Sequence, residues 1–397
     1  MDLAAGSVWL DARGTQSVGH AERGIARYVS EHTEALLELA PELIGWIGLN
    51  PDLPLPEAGG AFERSGKLAW QTSSAGPPEG TPPIYHVMSP FEAELGLDDI
   101  WPRWSRSTRL VVSLYDLIPL IMREQYNADW GYWATAWIAR LGLMRAAHQV
   151  LTISEHTAED AIEHLRLPEN RVTVIGSGVS DRFSSLVSSR HEAAALIATE
   201  LPNVRPGFLL YVGGVDYRKN LEGALRGYAE LPQAMRDRHQ FVIVCKLPYH
   251  RRVSLRAFAL DLGIEPRNLL LTGFVPDRTL AALYTDCELF IFPSLYEGAG
   301  LPILEAMTCE APVAASRASA MPEFLGDPAA TFDPADPADI ARCIREVLES
   351  PGMLDALRES SRREVRVHTW RRVAERTVEG YERALSAPLA GMEVAAN

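Results

Sequence analysis

The stretch FPSLYEGAGLPILEAM, Phe292 to Met307, sets Glu297 and Glu305 eight residues apart around a glycine-rich turn. An apolar run, Leu289 to Phe292, leads into Pro293, and a helical pattern begins at Leu301. Strand, glycine loop and helix start, in that order, is how an open α/β sheet builds an anion site. Gly298 and Gly300 permit close backbone approach, and the helix start offers unpaired N–H groups to a phosphate. Glu297 and Glu305 supply acceptors for sugar hydroxyls. A phosphate cradle flanked by two carboxylates suits a sugar nucleotide better than a bare nucleotide.

The segment YVGGVDYRKNLEGALRGY carries the second signal. A strand ends in Gly213 and Gly214, Arg218 and Lys219 follow, and a helix starts near Leu221. Cations between a strand and a helix can clamp a diphosphate at the carboxyl edge of a sheet. Alone, the segment reads slightly better as a solvated basic turn; beside the Glu297 loop, the phosphate reading is preferred. Gly273 to Asp277 (GFVPD) either presents backbone to a base edge or is an ordinary turn with Asp277 as helix N-cap.

Signals in the first half are weaker. Gly14, Gly19 and Gly24 do not form a strict GxGxxG, which argues against a nicotinamide fingerprint. Tyr115 and Asp116 close an apolar run, so Asp116 is either a ligand-facing carboxylate or a strand-end cap, and Ser154 is a candidate N-cap. His86 and His156 lie near strand ends without metal-ligand spacing. Trp130, Tyr132, Trp133 and Trp137 share a helical spacing that favours packing over an acceptor platform.

The elements that must position these residues alternate. Val8–Leu10, Ile44–Ile47, Ile84–Val87, Leu110–Leu114, Val150–Ile153 and Val172–Ile175 read as strands, with helices over Gly24–Leu39 and Ala158–Leu165 between them. Beyond a linker near 184–206 the pattern restarts with strands Phe208–Val212, Phe241–Val244, Leu269–Leu271, Leu289–Phe292 and Pro312–Ala315. Their intervening helices include Leu221–Glu230, Arg252–Leu262, Thr279–Thr285 and Ala338–Leu348. Such alternation predicts α/β architecture with parallel sheets covered on both faces. The expected domains are 1–190 and 200–370, with a helix over 371–390 packing back on the first; residues 50–83, rich in Pro and Gly, form an irregular excursion.

With 397 residues, 47% hydrophobic and 23% charged, the chain has ordinary globular composition for two domains. Its 52 acidic against 38 basic residues give a net charge of −14, which excludes a general nucleic-acid binder. Four well-spaced cysteines read as reduced thiols of a cytoplasmic protein. The N-terminus lacks a signal-peptide pattern, and the most apolar segment, Leu110 to Met122, is broken by Asp116 and Pro119.

Taken in order, YVGGVDYRKN, GFVPDRTLAALY, FPSLYEGAGLPILEAM and APVAASRASAMPEF resemble the retaining glycosyltransferases of family 4 (GT4), in particular the O-antigen mannosyltransferase-like branch. GIARYV, VVSLYDLIPL, LTISEHTAED and the closing HTWRRVAERTVEGYERAL extend the resemblance over nearly the whole chain. It implies a GT-B fold, two Rossmann-like domains facing a cleft, with the donor bound mainly by the second. By the resemblance, Glu297 contacts the donor sugar, Glu305 the ribose, and Gly298, Ala299, Gly300 and Leu301 line sugar and phosphate. Arg218 and Lys219 neutralise the diphosphate beside Gly213 and Gly214, Gly24 lets the first domain approach it, and Val275 sits by the base. Two positions depart from the pattern. Gly214 stands where many relatives carry Arg, and Tyr115 where the branch carries His, next to Asp116 of the catalytic set. The implied reaction is metal- and cofactor-independent hexosyl transfer, from GDP-mannose or a similar nucleoside diphosphate sugar, to a saccharide, lipid-linked or natural-product hydroxyl. A lipid-linked acceptor would add peripheral contact with the inner membrane face. The rivals are a nucleotide-sugar epimerase or hydrolase of the same fold and a catalytically silent nucleotide-binding protein.

Overall fold

The computed structural model describes residues 3–16, 24–56, 60–70, 81–91, 97–180, 182–326 and 328–387. The chain folds as two compact units, one made of residues 1–178 with 370–397, the other of 179–369. Each is built on a single parallel sheet, in which most strands are followed by a helix that carries the chain back to start the next strand in the same direction.

In the first unit the strands are β1 (Val8–Asp11), β2 (Ile44–Leu49), β3 (Leu68–Trp70), β4 (Ile84–Val87), β5 (Arg109–Leu114), β6 (Gln149–Thr152) and β7 (Val172–Val174). They lie in the order β3-β2-β1-β4-β5-β6-β7, with Val8 opposite both Ile44 and Ile84. In the second unit β8 (Leu209–Val212), β9 (Phe241–Val244), β10 (Leu269–Gly273), β11 (Leu289–Phe292), β12 (Val313–Ser316) and β13 (Thr331–Phe332) form the order β10-β9-β8-β11-β12-β13. Both are doubly wound α/β sheets. Winding reverses between β1 and β4 and again between β8 and β11, and these are the places where an open α/β sheet parts its loops for a ligand. Central strands such as FVIV of β9 and LFIF of β11 are buried along their whole length, which is why they read as unbroken apolar runs.

The stretch expected to be a linker belongs to the second unit. Its helix Arg190–Glu200, capped by Ser189, buries Ala193 and Ile197 and packs against helix Asp277–Asp286. The short edge strands β3 and β13 were not anticipated, since two or three residues carry no periodicity. Among the described residues no helix is long and apolar enough to cross a membrane.

Helix Trp370–Ser386 returns to the first unit and packs on helix Gly24–Leu39 and on the sheet. Gly380 makes this approach possible: a Cβ there would stand 2.6 Å from Leu151 Cδ2. Beneath it lies a buried polar chain in which His86 bonds Tyr381 Oη at 2.8 Å and Ser113 Oγ at 2.9 Å, while His32 bonds Thr377 Oγ1 at 2.7 Å. Both imidazoles are fully buried. Burial holds His32 down to about 3 and, together with the neighbouring His32, holds His86 well below its ordinary value. The unfolded chain therefore takes up protons below about pH 6.5 that the folded unit refuses. Stability is complete above that pH and declines toward the folded values, by roughly 1.4 kcal/mol per pH unit for each ring. Denaturant titrations between pH 6 and 4 should show this slope, and His86→Gln should make it shallower by about one proton. Identical slopes in the two proteins would mean that His86 charges freely in the native state.

Candidate active site

The site grows from the loops at the reversal point of the second sheet. β8 ends at Val212, and Gly213 follows because any Cβ would strike Tyr211 Oη at 2.7 Å. Asp216 accepts from the Arg218 amide at 3.1 Å and nucleates the short turn Tyr217–Lys219. Asn220 then adopts a left-handed conformation, φ 53°, which Asn tolerates better than most residues. Its side-chain amide donates to the Pro293 carbonyl at 3.0 Å and the Pro334 carbonyl at 2.7 Å. The Leu295 amide donates to the Arg218 carbonyl at 2.7 Å. The loops after β8 and β11 are thus laced together by the Asn220 side chain and one backbone hydrogen bond, and Asn220 also reaches the loop after β13.

Inside that lacing sits Glu297, only 5% exposed. Lys219 Nζ donates to its Oε1 at 2.7 Å and Arg218 Nη1 to its Oε2. Lys219 also lies 5.3 Å from the centroid of the Phe292 ring. The Glu297 amide donates to Ser319 Oγ at 2.9 Å, and that hydroxyl lies 3.2 Å from the Glu297 carbonyl. Burial pushes the Glu297 carboxyl up, yet Lys219, Arg218 and a hydrogen bond from Ser294 outweigh it and hold the group below the ordinary carboxylate range. Burial lowers the Lys219 ammonium, with Glu297 opposing. The carboxylate is ionised at neutral pH and pairs with both cations.

Beyond Glu297, Gly298, Ala299 and Gly300 form a buried loop into helix Leu301–Thr308. Pro302 has no N–H, and the amides of Ile303 and Leu304 return to the Gly300 carbonyl at 2.8 and 3.1 Å. What the helix start offers a ligand is therefore the Leu301 amide. Glu305, on the next turn of this helix, lies 3.5 Å from Tyr284 Oη. Gly214 is exposed, and a Cβ there would meet nothing closer than the Asp216 amide at 4.0 Å.

The structure thus gathers Arg218, Lys219 and Glu297 into one cluster, with Gly213, Gly214 and Gly298 to Leu301 on its two loops. Val275, in the loop after β10, is buried, and its neighbour Phe274 is the exposed side chain, at 70%. Asp277 is the first residue of its helix rather than the cap, and pairs with Arg182 at 2.8 Å. Tyr115, Asp116 and Gly24 belong to the first unit. Tyr115 is buried, donates to the Met88 carbonyl at 2.8 Å and meets Tyr28 edge-on. One Asp116 oxygen accepts from the Ile118 amide at 3.0 Å, the geometry of a strand-end cap. Gly24 opens helix Gly24–Leu39, and His20 to Arg23 before it lie outside the described residues. Ser154 caps its helix by accepting from the Thr157 amide at 3.0 Å. Trp137 stacks on Phe91, whereas the side chains of Trp130, Tyr132 and Trp133 lie outside the described residues. Sequence reading missed Asn220 and Ser319. An Asn directly before a helix start was a usable signal; Ser319, φ 47°, carried none.

Two doubly wound sheets, one with paired cations and a buried carboxylate at its reversal point, define the GT-B class. The family model of glycosyl transferases group 1 matches residues 193–364, and that of glycosyltransferase family 4 matches 78–183. The chain belongs to this glycosyltransferase family. It is 30% identical over 312 residues to the serotype-specific mannosyltransferase WbdA of Escherichia coli, an alignment covering 77% of this chain and 37% of WbdA. It thus spans little over a third of the length of that relative. An MMP alpha-(1->4)-mannosyltransferase from Mycolicibacterium hassiacum is 41% identical over 249 residues, covering 61% of this chain and 56% of the relative. Among solved structures, Anabaena HepE in complex with UDP and glucose superposes with TM-score 0.69 at 16% identity, covering 94% of this chain and 98% of HepE. Sucrose-phosphate synthase from Thermosynechococcus elongatus does so with TM-score 0.69 at 18% identity, covering 95% and 98%.

Removing one member of a buried ion cluster strands the others without a counter-charge, at a cost of about 3–5 kcal/mol. Glu297→Gln should therefore lower the unfolding free energy of the protein by an amount in that range, read by urea denaturation. A change below about 1 kcal/mol would mean that water reaches the cluster and screens it.

Proposed function

We propose that the protein is a retaining hexosyltransferase that uses a nucleoside diphosphate sugar and transfers its sugar to an acceptor hydroxyl without a metal ion. The observation that carries this reading is the Arg218–Lys219–Glu297 cluster at the reversal point of the second sheet. In the proposed step the bond from the anomeric carbon to the donor phosphate oxygen breaks, and a bond from the same carbon to the acceptor oxygen forms on the same face. The acceptor proton passes to the departing phosphate oxygen, so no separate protein base is needed. Negative charge grows on the diphosphate as it leaves, and Arg218 and Lys219 stand where that charge would be neutralised. Glu297 accepts hydrogen bonds from the donor sugar, Glu305 from the ribose, and the Leu301 amide meets a phosphate oxygen.

The mannosyltransferase names of the E. coli and Mycolicibacterium relatives support a hexose, with mannose the first to test. The O-antigen chain mannosyltransferase B of E. coli, 27% identical over 238 residues, supports a saccharide acceptor in bacterial polysaccharide assembly. A cytoplasmic site of action accords with four buried free thiols.

The test is turnover with GDP- and UDP-hexoses and mannosyl oligosaccharide acceptors, in the presence and absence of EDTA, with the anomeric configuration of the product read by NMR. Acceptor-dependent transfer with retained configuration and undiminished by EDTA is expected. Arg218→Ala and Lys219→Ala should each lower kcat by roughly 10²–10³-fold. Donor consumption without an acceptor would instead identify an epimerase or hydrolase, and full activity in both variants would remove the cations from the mechanism.

A further inference from the structure

We propose that Ser319 is a positioning residue of the transfer reaction, whose hydroxyl aims the Glu297 carboxylate at the donor sugar; this rests on the nucleotide-sugar reading above. Among the described residues, four that are not glycine have positive φ: Arg166, Asn220, Glu310 and Ser319. Arg166 ends helix Glu155–Leu165 and Glu310 follows helix Leu301–Thr308, where a left-handed residue is an ordinary way to stop a helix. Asn220 belongs to a residue type that visits this region readily. Ser319, φ 47°, fits neither case. It lies in the turn between β12 and the short helix Met321–Phe324. Glycine would adopt that backbone at no steric cost, so the side chain is what recommends serine there. A strained backbone held in place by its surroundings points to a functional constraint.

The hydroxyl shows what the constraint is. Ser319 Oγ accepts from the Glu297 amide at 2.9 Å and donates to the Glu297 carbonyl at 3.2 Å. It also lies 3.6 Å from the Met321 sulfur, a weaker acceptor. The amide and the carbonyl stand on either side of the Glu297 Cα. Holding both fixes the two soft dihedrals of that residue, and with them the direction in which its side chain leaves the backbone. The turn that carries the hydroxyl is itself anchored. Ala320 and Met321 are fully buried, and the Arg317 amide donates to the Phe332 carbonyl at 2.9 Å.

The cations alone do not fix the aim of Glu297. In the proposed step Arg218 and Lys219 also serve the departing diphosphate, so a second hold is needed on the side of the residue they do not touch. Ser319 provides it through the backbone. Loss of that hold displaces the carboxylate from the sugar hydroxyls while the cations keep their reach to the diphosphate, and a displacement of about 1 Å is enough to slow a positioned reaction strongly.

Ser319→Ala and Ser319→Gly separate the hydroxyl from the backbone. Both remove the hydroxyl, and only the glycine relieves the left-handed strain. Each protein is assayed for transfer with the donor and acceptor that the wild type turns over, unfolded in urea, and titrated calorimetrically with the matching nucleoside diphosphate. Ser319→Gly should unfold at higher urea than Ser319→Ala. Both should nonetheless lose kcat to the same extent, roughly 10- to 100-fold, with the affinity for the nucleoside diphosphate unchanged. A serine with a merely structural role would give another pattern, in which activity recovers with stability in Ser319→Gly, and that result would overturn the assignment. An unchanged kcat in Ser319→Ala would do the same, as would a nucleoside diphosphate affinity that falls in step with kcat. Equal urea midpoints for the two variants would show that the backbone there is unstrained, and would remove the reason for assigning the serine a function. All of these leave the donor site standing, because the wild type still transfers. A wild type that transfers no sugar and binds no nucleoside diphosphate would overturn the nucleotide-sugar reading and this assignment together.

Discussion

The second unit depends on a carboxylate almost wholly withdrawn from water. Glu297 can stay ionised in that place only because Arg218 and Lys219 are brought to it, and they can be brought only if the loops after β8 and β11 are held in register. Asn220, reaching two carbonyls from a left-handed backbone, and the Leu295 amide, closing on Arg218, provide that register. Desolvating three charges is expensive, and the mutual attraction of such a cluster repays it only when the geometry is held. The reversal of strand order at β8 and β11 is what lets two loops meet there without a helix crossing between them. Fold and site are in this sense one problem with one solution.

Much of this was readable in the sequence, for physical reasons that differ between elements. Strands buried on both faces need apolar residues at every position, so FVIV and LFIF declare themselves. Glycines and cations between strand and helix announced the loops, since few other residue types could turn so tightly beside a charge. Edge strands such as Leu68–Trp70 and Thr331–Phe332 have one neighbour and two or three residues, too few to print a pattern. Direction was equally hidden. GFVPD drew attention to Val275, yet the backbone turn buries that side chain and exposes Phe274. Tyr115 sits at a strand end where ligand-facing side chains are common, and its hydroxyl is nonetheless spent on the Met88 carbonyl. Contacts between residues far apart in the chain, such as His32 with Thr377, leave no local trace at all.

Both units bury charge, in different surroundings. The second pairs Glu297 with Arg218 and Lys219 at a loop junction. The first pairs the buried Arg13 with Asp11 at 2.7 Å, and separately carries a neutral chain of imidazole, phenol and hydroxyl partners running under the helix Trp370–Ser386.

That seated helix also sets an order of events during synthesis. The first unit is interrupted after Gly178, and its last helix does not leave the ribosome until the whole of 179–369 has been made. At ordinary elongation rates that is a wait of roughly 10–40 s. Through this interval His32, His86 and the inner face of helix Gly24–Leu39 lack their partners, while the second unit, continuous in the chain, has everything it needs to fold. The first unit therefore cannot seat this helix until the whole of the second has been synthesised.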